Sequence, residues 1–203
     1  MDHRNAFESG LKEMGLVVDK ALVQQLHAYQ VLLLRWNKTM NLTAITEPNK
    51  ILTHHLMDSL SVNEFIVGQK VLDVGSGAGL PGIPLALINP NKDFILLDSS
   101  EKKTYFMTQA RIELGLENVT VVRSRIEDYD NLVDHVISRA FSSLERFVNL
   151  GLRLLHKGGS LLAMKGPGYE IESEVLQSKS GRVHEVFVPC LGAERYVIEI
   201  FAS

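Results

Sequence analysis

Val71-Leu72-Asp73-Val74-Gly75-Ser76-Gly77-Ala78-Gly79-Leu80-Pro81-Gly82 is the stretch that decides the fold. A short apolar, β-branched run, Lys70–Val74, ends in a glycine-rich turn, and an apolar segment follows. Glycine permits positive φ and lets a ligand approach the backbone closely, so the pattern predicts a strand, a ligand-binding turn and a helix. Four further apolar runs lie downstream: Phe94–Leu97, Val119–Val122, His135–Ser138 and Ser160–Met164. Helical stretches at Glu101–Leu114 and Leu144–Leu155 fall between them. Strands alternating with helices predict an α/β chain whose sheet is mostly parallel, doubly wound and Rossmann-like. Val183–Val188 and Tyr196–Phe201 follow each other closely and are expected to pair antiparallel at the end of that sheet. Ahead of Gly68 the spacing is helical. Leu22, Leu26, Tyr29 and Leu33 recur on one face behind Asp19 as N-cap, and a second amphipathic stretch runs from Pro48 to Phe65. The expected division is a helical cap over residues 1–66 and a ligand-binding core over 67–203, together forming one compact unit.

Composition narrows the possibilities. The chain's 203 residues are 45% hydrophobic and 22% charged, as in an ordinary globular protein and unlike a disordered or fibrous one. At this length a chain buries roughly 70% of its unfolded surface, enough for a real core. No apolar run reaches the ~18 residues of a membrane-spanning helix, and the first residues lack a secretory pattern. The single cysteine, Cys190, excludes an internal disulfide and a Cys-rich zinc site. Together these features point to a cytoplasmic protein with no membrane partner. A formal charge of −3 argues against a general nucleic-acid coat, yet leaves room for a local basic face.

Gly77–Gly82 satisfies the dinucleotide pattern G-x-G-x-x-G literally, so the loop by itself does not separate NAD from S-adenosylmethionine. Asp98 closes the second strand, 23 residues beyond Gly75, where a carboxylate accepts from the ribose hydroxyls of either cofactor. Three features favour the methyl donor. Asp73 ends the first strand, where it can hold the loop or an amino-acid ammonium. Ile126 and Glu127 follow the third strand, suiting an apolar lid and a carboxylate near adenine. There is also no room for the separate substrate domain that many hydride-transfer enzymes carry. Ser76, Gly77 and Gly79 on the loop, and Ser99 beside Asp98, complete the cofactor candidates.

With those residues in view, the chain resembles the rRNA small-subunit methyltransferase G family, also called glucose-inhibited division protein B. The resemblance rests on Trp36-Asn37, Asn41–Ile45, His55 with Asp58-Ser59-Leu60, Asp73–Pro84, Leu97–Ser99, Ser138–Phe141 and Lys165-Gly166. It implies a class I methyltransferase that uses S-adenosylmethionine to methylate N7 of one guanosine in 16S rRNA. It also implies cofactor contacts at Gly75, Leu80, Ile126, Glu127 and Arg139, with 16S rRNA or the small ribosomal subunit as partner and a monomer as the working unit. The stretch from Gly168 to Ser180 matches least well.

The residues agree with such chemistry. Guanine N7 carries an in-plane lone pair at neutral pH, so no general base is required, and none is evident near the glycine loop. Arg139, ending the fourth strand, could reach either cofactor or base, since arginine pairs best with N7 and O6; it is the catalytic candidate. Alternatively it braces the loop through a nearby carboxylate. The Ser138-Arg139-Ala140-Phe141 tetrad lacks the Asp/Asn-Pro-Pro-aromatic pattern of amine methylases. Cys190 sits too late in the chain for a pyrimidine-C5 nucleophile and reads as a packed thiol. Phe141 stacks on a flipped base or fills the core. His55 and Asp58 are expected to tie the cap to the glycine loop rather than to hold a metal. Trp36, Asn37 and Asn41 pack the cap or wall the pocket. The RNA candidates are Arg123, Arg125, Lys165 and Arg195. Two other functions remain open at this point: a small-molecule methyltransferase, or a non-enzymatic nucleotide-cofactor-binding module.

Overall fold

A computed structural model describes residues 3–141, 143–168 and 180–202. The cap begins with α1 (His3–Glu13) and α2 (Lys20–Met40). Asp19 caps α2 as expected, its side chain accepting from the Leu22 amide at 2.7 Å. Leu26, Tyr29 and Leu33 are fully buried, and Leu22 packs half-buried beside them.

The second amphipathic stretch is not one continuous helix. It is a single turn, α3 (Pro48–Ile51), then a π-helical segment (Leu52–Met57), another short turn, α4 (Asp58–Leu60), and a 3₁₀ turn (Asn63–Phe65). Ile51, Leu52, His55, Leu56 and Leu60 are all buried regardless. Apolar spacing alone does not distinguish an α-turn from a wider π-turn, since both carry the same residues to the core.

The sheet is built from β1 (Lys70–Val74), β2 (Asp93–Asp98), β3 (Val119–Arg123), β4 (Val133–Arg139), β5 (Leu155–Lys165), β6 (Gly181–Val186) and β7 (Arg195–Phe201). Helices α5 (Gly82–Ile88), α6 (Glu101–Glu113) and α7 (Leu144–Gly151) lie between strands. The strand order is β3-β2-β1-β4-β5-β7-β6, with β1 to β5 parallel and β7 antiparallel to both neighbours. The α/β class with antiparallel C-terminal pairing is therefore as expected. Several boundaries differ, among them α7, which ends at Gly151 where the pattern runs to Leu155. β5 starts five residues earlier than the apolar run, at Leu155, and β6 stops at Val186, ahead of Pro189 and of Cys190 in the left-handed region (φ 59°).

Alternation along the strands divides the core. Val71, Ile137, Leu162, Met164 and Val197 face one cluster with Phe7, Leu26, Tyr29, Leu33 and Phe106. Leu72, Val136, Leu161, Ala163, Ile198 and Ile200 face the other, with Phe147 and Ile126. The cap thus covers one face of the sheet, and Asp73, two residues from Val71, projects from that same face. The stretch 168–180, apart from its two ends, lies outside the described residues.

Candidate cofactor pocket

The strand order reverses between β1 and β4, with β1 continuing into the glycine loop. That is the point at which open α/β sheets bind ligands beyond their strand C-termini. The loop is held from below. Gly75 and Ser76 donate their amides to the Leu97 carbonyl at 2.8 and 3.1 Å, and the Gly77 amide donates to Asp98 Oδ2 at 3.0 Å. Ser138 Oγ donates to the Val74 carbonyl at 2.7 Å, tying the end of β4 to the start of the loop. Gly75 has φ +70° and a Cβ there would meet no atom within 4 Å, so its requirement is conformational and its outer face is open. Gly82 is the opposite case: a Cβ would lie 2.2 Å from Leu96 Cδ2 and 2.8 Å from Asp73 Oδ2.

Asp73 is fully buried. Its Oδ2 accepts from the Gly82 amide at 2.9 Å, and its Oδ1 has no hydrogen-bond partner among the described residues. Burial pushes its carboxyl up to about 7, opposed by the Gly82 hydrogen bond and by the nearby Arg139 charge, while the Ser76 hydroxyl donates to the Asp73 backbone carbonyl. From the cap, Tyr29 Oη donates to the Ala78 carbonyl at 2.6 Å, and burial drives that phenol's pKa far upward. Tyr29, not His55 or Asp58, is therefore the cap's link to the glycine loop.

Beside the loop lies a cavity of about 360 Å³. It is lined by Val74 and Gly75 from the loop, Leu97, Asp98, Ser99 and Lys103 from the end of β2 and the start of α6, Ser124, Arg125, Ile126 and Glu127 after β3, and Phe141 and Arg146 after β4. Gly75, Asp98, Ser99, Ile126 and Glu127, five of the expected cofactor residues, thus converge on one cavity. Gly77 reaches it through Asp98, whereas Ser76 and Leu80 are buried beneath the loop and Asp73 supports its far end. A larger cavity of about 480 Å³ lies toward the opposite edge, lined mainly by Val17, Leu22, Ala86, Leu87, Pro90 and Leu116. Asp19, Gln25, Gly115, Glu117 and Asn118 also line it, but it lies away from the glycine loop and from the strand C-termini at the switch point, so the smaller cavity is the candidate site.

Asp98 is already partly engaged. Its Oδ2 takes the Gly77 amide, its Oδ1 takes the Ser100 amide at 2.9 Å, and Lys103 Nζ lies 3.5 Å away. Each carboxylate oxygen keeps acceptor capacity for a further donor such as a ribose hydroxyl. Glu127 is held by Arg146 at 2.6 Å, which pulls its carboxyl below the usual range. Sequence reasoning missed Arg146, because nothing in the local pattern links it to a residue 19 positions earlier.

Arg139 takes the bracing geometry. Its Nη1 donates to Asp58 Oδ2 at 3.1 Å and to the His54 carbonyl at 3.2 Å, and the side chain does not line the cavity. Arg195 Nε donates to Asp58 Oδ1 at 2.7 Å, so this RNA candidate is committed at one end to a carboxylate. Asp58 thus ties the cap to β4 and β7 rather than to the glycine loop. His55 Nδ1 donates to the His54 carbonyl and its Nε2 accepts from Thr43 Oγ1 at 2.7 Å. Burial and the Arg139 charge lower the His55 pKa to about 4, keeping the ring neutral. Asn37 brackets Thr43 with two hydrogen bonds and Trp36 packs against Tyr105 and Phe106, so both belong to the cap and not to the pocket wall.

Among the other RNA candidates, Arg123 pairs with Glu101 at 2.9 Å, Arg125 stands exposed on the cavity rim, and Lys165 ends β5. Phe141 lines the cavity and packs tilted on Phe147. Cys190 is exposed, contrary to the packed thiol expected, because it occupies the turn after the edge strand β6. Among the described residues no group of three metal-binding side chains converges, and no helix is long and apolar enough to cross a membrane.

This sheet order, with its glycine loop at the switch point, defines a class I methyltransferase fold. A solved structure with the same architecture is a SAM-dependent O-methyltransferase from Thermotoga maritima, with a TM-score of 0.62 over 84% of this chain and 71% of that one. At 15% identity that likeness concerns the fold. The chain belongs to the rRNA small subunit methyltransferase G family, whose model matches residues 22–198. Ribosomal RNA small subunit methyltransferase G of Nitrosococcus oceani is 43% identical over 200 residues, covering 97% of this chain and 94% of that protein. Its counterpart from a Marinomonas species is 41% identical over 202 residues, covering 98% and 97%.

Proposed function

We propose that this protein is a monomeric, cytoplasmic, S-adenosylmethionine-dependent methyltransferase that modifies N7 of one guanosine in the 16S rRNA of the small ribosomal subunit. The observation that carries this reading is the near full-length family match, joined to a cavity at the matching switch point. The residues suit the cofactor. Asp98 offers acceptors to a ribose, Ile126 an apolar wall, Glu127 a carboxylate on the cavity lining, and the Gly75 turn an open backbone face. S-adenosylmethionine supplies, when bound, an electrophilic methyl group.

The chain's own contribution is positioning and charge management, because an unprotonated N7 needs no proton removed. Asp98 keeps the loop in register through Gly77. Arg139, held by Asp58 at the end of β4 and outside the cavity lining, is assigned to the guanine edge rather than to the cofactor. Arg125 and Lys165 at the strand ends, and Arg195 at the start of β7, supply positive charge for the RNA backbone. Phe141 offers an aromatic face on the cavity wall.

The test uses 16S rRNA or small subunits carrying 7-deazaguanosine at the modified position, at saturating RNA and under single-turnover conditions. Replacing N7 by C–H removes the attacking lone pair and leaves N1, O6 and the exocyclic amine in place. Labelled methyl transfer is expected to normal RNA and not to the deaza substrate. Robust transfer to the deaza substrate refutes the N7 assignment, and transfer to neither refutes the RNA methyltransferase reading.

A further inference from the structure

Asp58 is 4% exposed, yet each of its carboxylate oxygens holds a different guanidinium from a different strand. Oδ2 takes Arg139 from β4 and Oδ1 takes Arg195 from β7, and β5 lies between those strands in the sheet. Register brings the two arginines to the same edge. Arg139 pairs with Met164, and Lys165, the next residue, pairs with Tyr196, the neighbour of Arg195. The guanidiniums are about one-fifth exposed, so a buried anion sits beneath two cations whose outer faces reach solvent. Each arginine has a second anchor, the His54 carbonyl for Arg139 and the Glu194 carbonyl for Arg195.

Stability gives little reason for this arrangement. Desolvating a carboxylate costs about as much as its ion pairs return, and well-packed apolar residues often serve a fold equally well. What such a triad does supply is geometry. Two like charges that would separate in solvent are held at fixed positions around one anion, at the sheet edge where the parallel strands end.

We infer that Asp58 is a positioning residue that locks Arg139, on the reacting side, to Arg195, on the RNA side, so that the target nucleotide is presented in fixed register to the methyl donor. This inference rests on the functional reading given above. It is distinguishable from a simple electrostatic role, because Asp58→Asn makes the RNA-facing edge more positive. Pure charge would then tighten RNA binding and speed turnover at low RNA, whereas lost register slows the chemical step.

The experiment compares the unaltered chain with Asp58→Asn, Asp58→Glu and Arg195→Gln, using small subunits as substrate. Single-turnover methyl transfer, RNA affinity, S-adenosylmethionine affinity and thermal midpoint are measured for each. Asp58→Asn is expected to lower the saturated transfer rate about 10- to 100-fold, the scale of a misplaced reacting group. RNA and cofactor affinities should stay within about threefold, a split that loss of fold would not produce. The Asp58→Asn/Arg195→Gln double variant should be little slower than the worse single variant, because both act through one linkage. A saturated rate within about threefold of normal in a folded Asp58→Asn, or fully additive losses in the double variant, overturns the inference. If Asp58→Asn does not fold, Asp58→Glu and Arg195→Gln decide, and normal saturated rates in both overturn it. Failure of the unaltered chain to methylate RNA overturns the functional reading and this inference with it, whereas normal transfer by the variants overturns this inference alone.

Discussion

Asp73→Asn tests whether the carboxyl under the glycine loop is stored in its neutral form. Burial raises it from the ordinary 3.8 to about 7, and one of its oxygens has no partner. An acid whose folded pKa lies above its unfolded value destabilises the fold as pH rises, since the unfolded chain ionises first. The penalty is small below about pH 4, grows through the interval to about 7, and is constant above it. The interval is about three pH units, and at 1.36 kcal/mol per unit the full penalty is about 4 kcal/mol. Of this, about 3 kcal/mol develops between pH 5 and pH 8. Asparagine keeps an acceptor for the Gly82 amide and carries no charge, so this variant lacks that slope. Urea unfolding of both proteins at pH 5, 6, 7 and 8 is the assay. Relative to the unaltered chain, the variant should gain about 2–3 kcal/mol between the extremes. Parallel stability curves for the two proteins would show that Asp73 is ionised in the fold at pH 5, and the argument from burial would be wrong.

Two further predictions concern the same loop. Asp98→Ala should weaken S-adenosylmethionine binding by about 1.5–3 kcal/mol, the scale of a lost charge-assisted hydrogen bond. Calorimetry giving unchanged affinity in a folded variant would remove Asp98 from the cofactor site. Gly82→Ala places a methyl group 2.2 Å from Leu96 Cδ2 and against Asp73 Oδ2, so it should cost about 1–3 kcal/mol of stability. For a chain of this length that is a fall of several degrees in thermal midpoint, and an unchanged midpoint would contradict the packing described for α5.

What was legible in the sequence follows a physical division. Local signals read correctly: the β1–glycine-loop transition, Asp19 as a cap, and the strand–helix alternation all depend on neighbours within a few residues. Asp98 at a strand end was legible for the same reason, and Ile126 and Glu127 fell on the cavity because the turn after β3 must open there. The contacts that were not legible cross the chain. Asp58 meets residues 81 and 137 positions away, and Tyr29 meets a carbonyl 49 positions away. The π-helical segment escaped because its buried set, Leu52, His55 and Leu56, is equally consistent with an α-turn. Arg139 and Arg195 stand out in the sequence as single cations, but no local pattern shows that Asp58 binds both.

Topology also explains how residues far apart in the sequence come to share one edge of the sheet. Parallel strands deliver all their C-terminal residues to one edge, so Asp98, Arg123, Arg139 and Lys165 gather there whatever their separation in sequence. Arg195 is different, because it begins its strand rather than ending it. It reaches the same edge only because β7 runs antiparallel to β5, with Lys165 opposite Tyr196. A parallel seventh strand would carry Arg195 to the far edge, about 20 Å away for seven residues at ~3.3 Å each. The reversal thus has a consequence beyond completing the sheet. It places a cation from the last strand within reach of Asp58 on the cap, where one carboxylate can hold it against the cation that ends β4.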